Sequence, residues 1–299
     1  MKKRILSLVM AILMIVSLLP VTALAADAAP SWLTMKIGSG SALSVSSTPT
    51  YLKFVDGTLT TEAGTATDYQ FKATYADGIL DVVFNNMIVS HTGGGHSFNF
   101  GYTAEGSNFN YAVRLTLIGE NQINGTGGNW IYLRNAGGTT ITGSGSLYAC
   151  TSAQNQVLQV EAGDLTIKDT TVTIEQKDGS YAGILLNKGS LFVDNSTVTV
   201  SAVNGSCVSF GTYNGIGTEE QGCYIQNGSN VVMNARSLHR GLIHTAGPIV
   251  FDSSNVELNG QYGCMATNKA PEIKGDVTAV YKNKVDGPSY SFDVAVDTP

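Results

Sequence analysis

The sequence predicts an all-β protein, a right-handed parallel β-helix with three short strands per rung, about 7–8 rungs and an N-terminal β cap. Three observations carry this expectation. One segment profile recurs along the chain at intervals of 22–32 residues. Within each short run, apolar and polar residues alternate with the period of a half-buried strand. The composition lacks the residues of helical proteins: charged residues make up 13%, against about 25% in an ordinary soluble domain. Glycine is frequent at 34 and proline scarce at 7, and Ser, Thr and Asn fill the polar positions.

The first element is an export signal, residues 1–25. Lys2, Lys3 and Arg4 precede an apolar run from Ile5 to Leu19, and Ala23-Leu24-Ala25 supplies a small-x-small cleavage site. No Cys lies in or just after it, so lipid anchoring is not expected, and no later stretch has the apolar length of a membrane span. The expected localisation is secreted or cell-surface. Removing the three basic residues shifts the formal charge from −6 to −9, a poor footprint for a nucleic-acid partner.

Residues 26–78 are less regular. Alternation over 32–45 and 69–75 predicts strands that cap the first rung, because an open solenoid end exposes core and unpaired strand edges. The helix proper occupies 79–299. Its first segment is ILDVVFNNMIVS from Ile79, followed by LTLIGENQING (115), TTITGSGSLYA (139), LTIKDTTVTIE (165) and LFVDNSTVTVS (191). CYIQNGSNVVM (223), IVFDSSNVELN (249) and PEIKGDVTAVY (271) complete the series. From 115 onward the starts are separated by 24, 26, 26, 32, 26 and 22 residues.

Each segment reads as a strand, a polar turn and a second strand. A third strand closes most of them: WIYL (130–133), VLQV (157–160), GILL (183–186), CVSF (207–210), GLIH (241–244) and CMAT (264–267). Ile167, Val172, Ile174, Val193, Val198 and Val200 should point inward, and Thr166, Lys168, Thr171, Thr173 and Thr199 outward. A β-sandwich would show hairpin turns every 8–12 residues or so and gives no reason for one three-strand profile to recur. The unequal spacing and the usual hand of parallel connections favour the right-handed form.

The segments LTLIGENQINGTGG and TTITGSGSLYA resemble exported right-handed β-helix proteins of Gram-positive, often anaerobic, bacteria. That group lies in the pectate-lyase-like superfamily and includes a polysaccharide-binding family lacking evident catalytic residues. The resemblance covers roughly 79–285. It implies a β-helix and, by analogy alone, sugar binding.

Two outward columns of the first strand hold the candidate site. The second position reads Thr116, Thr140, Thr166, Phe192, Tyr224, Val250, Glu272; the fourth reads Ile118, Thr142, Lys168, Asp194, Gln226, Asp252, Lys274. Phe192 and Tyr224 therefore sit on adjacent rungs, flanked by Asp194, Gln226 and Asp252. Aromatic faces stack on the C–H faces of sugars while amides and carboxylates bond hydroxyls. Such a platform favours a linear polymer lying along the helix axis. In the competing reading, the two rings cover each other.

No residue is assigned a catalytic role. A lyase of this architecture needs clustered carboxylates for Ca²⁺ and a base. Asp194 and Asp252 should stand two rungs apart, about 9–10 Å, too far to share a Ca²⁺ whose ligands lie at about 2.3–2.6 Å. Arg114, Arg134, Arg236 and Arg240 fall outside the column. The adjacent Asp pair and Gly-His-Gly run of polygalacturonase-like enzymes are missing. No cofactor is expected, and Ca²⁺, the one weighed, has no clear ligand cluster. His91, His96, His239 and His244 lack metal-site spacing.

Cys150, Cys207, Cys223 and Cys264 read as small core residues without disulfides. Cys207 and Cys264 share a column two rungs apart, beyond the roughly 7 Å Cα separation a disulfide spans. Asn195, Asn230 and Asn255 are expected near the first turn of successive rungs, bonding along the stack. Glu219 and Glu220 should sit on the protruding loop that makes one rung 32 residues long.

The favoured reading is a secreted or surface, non-catalytic protein that binds polysaccharide or cell-wall glycan, or acts as an adhesin. The alternatives are a polysaccharide lyase or glycoside hydrolase of the pectate-lyase-like superfamily, and a structural or partner-binding module.

Overall fold

The computed structural model describes residues 33–93, 95–101, 110–126, 131–211, 217–235, 243–260, 265–266, 270–281, 285–286 and 291–292. The expected signal at 1–25, Trp32, Arg236, His239, Arg240 and Cys264 lie outside them.

Three long sheets of 11, 8 and 9 strands, largely parallel, wind into a β-helix of about eight rungs. The first sheet stacks Ile79–Asn85, Ala112–Ile118, Thr139–Thr142, Leu165–Lys168, Leu191–Asp194, Cys223–Gln226, Ile249–Asp252 and Glu272–Lys274, which we number as rungs 1 to 8. The second stacks Ile88–His91, Glu120–Gly125, Ser146–Thr151, Thr171–Gln176, Thr197–Ala202, Asn230–Ala235, Asn255–Gly260 and Thr278–Tyr281. The third sheet runs from Phe98–Phe100 through Ile131–Leu133, Leu158–Val160, Ile184–Leu186, Val208–Phe210 and Ile243–His244 to Met265–Ala266.

Sequence alternation becomes packing directly. Ile167, Val172, Ile174, Val193, Val198 and Val200 are all buried in one continuous core. Val198 belongs to an inward column of Leu147, Val172, Val198, Val231 and Val256, each opposite the next in register. At the N-terminal end, Thr34–Ile37 pairs antiparallel with Phe98–Phe100, and Phe71–Ala76 pairs antiparallel with Ile79–Asn85. Phe98 lies 5.1 Å from Phe84, 6.1 Å from Phe71 and 6.1 Å from Phe54 between ring centroids, so rings from strands and cap fill the end of the bore together.

The register differs from the sequence alignment in rung 2. Val113, not Leu115, stands opposite Thr139, and Thr116, not Ile118, stands beside Thr142. Only Gly119, at φ +63°, separates the first two strands of rung 2, whereas 143–145 intervene in rung 3. A shorter turn slid the likeness of LTLI to TTIT by two residues. Two residues is one full strand period, so every side chain keeps its face.

The asparagine column also divides. Asp169, Asn195, Asn227 and Ser253 occupy the first turn in the left-handed region, at φ 52, 45, 56 and 48°. Asn230 and Asn255 instead begin second strands, in the column of Thr197. Asn195 Nδ2 donates to Asp169 Oδ1 at 2.7 Å, so the turn residues do bond along the stack. Beneath them the Ser196 and Ser229 hydroxyls lie 2.8 and 2.5 Å from the carbonyl oxygens of Asp194 and Gln226 in their own turns. They lie 3.2 and 3.1 Å from those of Ile167 and Val193 one rung below, and Ser254 Oγ lies 3.4 Å from the Ile225 carbonyl. These inward hydroxyls satisfy carbonyl groups at a bend, where the ladder alone leaves acceptors open.

Cys150, Cys207 and Cys223 are free thiols. Burial pushes the Cys207 thiol well up and the Cys223 thiol to about 12, which makes both poor nucleophiles. Cys150 is not in the bore. It shares an outward column of the second sheet with Asn124 and Glu175, with Sγ 3.5 Å from Asn124 Oδ1. Its small size matches cover by neighbouring side chains on that face, which alternation alone does not reveal.

Candidate functional site

The outward face of the first sheet changes character along the axis. At rungs 1 and 2, Asp81 and Arg114 form a bidentate pair at 2.5 and 2.7 Å. Thr140 and Thr166 follow on rungs 3 and 4, then Phe192, Tyr224, Val250 and Glu272 on rungs 5 to 8. The four-residue strands Leu191–Asp194 and Cys223–Gln226 bury positions one and three and turn two and four outward.

Phe192 and Tyr224 are directly opposite in register, both half-buried, with ring centroids 4.7 Å apart and planes 7° from parallel. Side-by-side coplanar rings would collide at that separation, so the rings lie face to face in an offset stack. Each ring thus gives one face to the other and keeps its second face, Phe192 toward the Thr166 rung and Tyr224 toward the Val250 rung. Gly222 makes room for the stack: a Cβ there would fall 2.8 Å from Tyr224 Cε2 and 2.9 Å from Pro248 Cγ.

Asp194 lies beside Gln226, and Asp252 beside Lys274 one rung beyond Gln226. The Asp194 carboxylate is already held, with Oδ1 accepting from Asn227 Nδ2 at 2.7 Å and Oδ2 3.5 Å from Lys168 Nζ. Asp252 Oδ1 accepts from the Ser253 hydroxyl at 2.9 Å. The five expected residues therefore share one face. Among the described residues no group of three His, Cys, Asp or Glu side chains could hold a metal ion, and no helix is long and apolar enough to cross a membrane.

Two features were missed by sequence reasoning. At the start of the strands bearing the aromatic pair, the third turns enclose a cleft of about 590 Å³. Lys188, Gly189 and Ser190 line it from one rung, Thr218, Glu220 and Gln221 from the next, and Asp164 from the one before. The Lys188-Gly189-Ser190 run and the long 204–222 insertion were the available signals, although Glu220 was singled out.

The other is a polar network on the third sheet. Glu161 accepts from the Tyr132 hydroxyl, from Gln159 Nε2 at 2.6 Å and from Asn187 Nδ2 at 2.7 Å. Arg134 lies over the Tyr132 ring at 4.9 Å, and the His96 ring centroid is 4.6 Å from that of Tyr132. Burial first, then the nearby Arg134 charge, pushes the His96 pKa down to about 4. In the unfolded chain the ring takes its proton near 6.5. This stability is therefore complete above pH 6.5 and is lost as the pH falls towards 4, by about 2 kcal/mol after allowance for solvent screening. Urea denaturation at pH 7 and pH 4 checks this: His96→Gln should lose less than wild type on acidification, and an equal loss would remove His96 from the acid response.

Comparison with known family models, curated proteins and solved structures finds no match.

Proposed function

We propose that this chain is an exported, non-catalytic β-helix that binds polysaccharide at the cell surface or outside the cell, through Phe192 and Tyr224 with Asp194, Gln226 and Asp252 beside them. The observation that carries this reading is the half-exposed aromatic stack on an outward face made, apart from Val250 next to Tyr224, mostly of hydroxyls, amides and a few charges. An aromatic pair rimmed by hydrogen-bonding groups suits a ligand with apolar C–H faces and hydroxyl edges. Asp194 is committed to Lys168 and Asn227, which suits fixed recognition better than proton transfer. Export is supported by the basic-apolar-small pattern of residues 1–25. The likeness of LTLIGENQINGTGG and TTITGSGSLYA to the polysaccharide-binding branch of the pectate-lyase-like superfamily points the same way.

Affinity electrophoresis through gels carrying a panel of soluble polysaccharides tests the proposal. Losing one ring should cost about 1–3 kcal/mol, by analogy with other aromatic stacking platforms, or roughly five- to 150-fold in affinity. Phe192→Ala and Tyr224→Ala should both migrate with weakened retardation, and Thr166→Ala on the neighbouring rung should behave as wild type. If both ring deletions fold and bind as wild type, this face is not the site.

A further inference from the structure

We propose, on the basis of the carbohydrate-binding reading above, that the third-turn cleft is an adjoining subsite for the same glycan, which runs along the strands, across the helix axis, and is neutral or carries amino groups.

The direction follows from the stack. Register alone suggests a polymer along the axis, but Phe192 and Tyr224 cover each other in that direction. A sugar can therefore stack only on an outer face, beside Phe192 over the Thr166 rung or beside Tyr224 over the Val250 rung, and a chain in either place runs along the strands. Along the strands the groups come in a different order. Gly189, Ser190 and Gln221 line the cleft, Phe192 and Tyr224 follow within three residues, and Asp194 and Gln226 come two residues later. The track from Ser190 to Asp194 is about 13 Å long at the rise of an extended strand.

The cleft floor is rigid. Asp164 Oδ1 accepts from the Ser190 N–H at 2.8 Å, and Ser190 Oγ accepts from the Gly222 N–H at 3.0 Å. Gln221 Nε2 donates to the Gly189 carbonyl at 3.2 Å, and Gln221 Oε1 accepts from the Thr218 N–H at 3.0 Å. Asn187, in the wall, donates to Glu161 through Nδ2, while among the described residues its Oδ1 has no hydrogen-bond partner. Around this fixed floor the exposed side chains of Asp164, Lys188, Thr218 and Glu220 remain available to a ligand. Fixed donors and acceptors in a preformed cleft bind at low entropic cost.

Charge selects the ligand class. Asp164 and Glu220 outnumber Lys188 at the cleft, whereas along the face Asp194 and Asp252 are met by Lys168 and Lys274, so the excess of carboxylates is the cleft's own. A uronate polymer would bring carboxylates against carboxylates, whereas neutral sugars would use the same groups as hydrogen-bond acceptors and amino sugars would pair with them.

The test is titration calorimetry of the full-length mature chain with cellohexaose, chitohexaose, a chitosan hexamer and hexagalacturonate. Variants are Thr218→Trp, which fills the cleft, Lys188→Ala with Glu220→Ala, and the two ring deletions, each checked for an unchanged melt. A neutral or amino hexamer should bind and hexagalacturonate should not. Filling the cleft should weaken binding about tenfold or more, the equivalent of one hydrogen bond to a charged group. If the ring deletions weaken binding but the cleft variants bind as wild type, the subsite is overturned and the glycan reading stands. Preferential binding of hexagalacturonate overturns the assigned class. If none of the four probes binds, both the reading and the subsite fall.

Discussion

Val198→Asp should destabilise the protein by about 5 kcal/mol at pH 7, the combined cost of an unpaired carboxylate and a lost apolar side chain in a close-packed bore. Val198 is 1% exposed, with Val172 on one side and Val231 on the other in register. Its neighbours offer methyl groups and no donor. Burial should hold the new carboxyl protonated above its unfolded pKa of about 3.9, so the deficit should grow as the pH rises from 4 to 7. Thr199→Asp, one residue along, faces outward between Thr173 and Val232 and should cost less than about 1 kcal/mol. Urea midpoints of the two variants at pH 4 and pH 7 give the comparison. Equal losses would show that the inward–outward register is wrong, and a reversed order that the two columns have been exchanged.

That contrast was legible in the sequence because the second strands of rungs 4 and 5 are six residues long and half-buried, so period-two alternation marks their faces. The 26-residue spacing then stacks like on like. Third strands carry no such mark. Leu158–Val160, Ile184–Leu186 and Val208–Phe210 are buried at all three positions, including the outward-turned Gln159, Leu185 and Ser209. Alternation cannot identify a face when both faces are covered, and the network around Glu161 stayed hidden for that reason.

The aromatic pair was legible as an adjacency, since Phe192 and Tyr224 fall in one column whatever the length of the insertion between them. That the two rings cover each other was the competing reading, and the stack agrees with it; register alone could not choose, because χ angles decide whether rings lie flat or face to face. The cleft was less visible still. It arises where three third turns of unequal length meet, and loop length sets its walls without imposing a repeat. Cys150 shows the same limit on the second sheet: a small apolar residue at an outward position reads as core until its register partners, Asn124 and Glu175, place it.

Gly189→Ala should destabilise by about 3–5 kcal/mol, adding a left-handed backbone penalty to an overlap with the rung below. Gly189 holds φ +84°, and a Cβ there would lie 2.0 Å from the Gly163 carbonyl oxygen and 2.8 Å from the Asp164 nitrogen. Those are backbone atoms, fixed by the ladder on both sides, so neither can yield without separating two rungs. Gly163 repeats the arrangement one rung lower, where a Cβ would lie 2.6 Å from the Gly138 nitrogen. The third turns are therefore stacked at backbone contact, and glycine is needed there for closeness as much as for φ. Gly78 separates the two causes. It sits at φ +77° in the hairpin between Phe71–Ala76 and Ile79–Asn85, and among the described residues nothing but its own chain neighbours would lie within 4 Å of a Cβ there. Gly78→Ala should cost only the backbone term, about 1–2 kcal/mol. Urea denaturation of both variants measures the difference. Equal costs would mean that the turns are held apart in solution and that stacking at the cleft floor, on which its rigidity depends, is looser than the geometry shows.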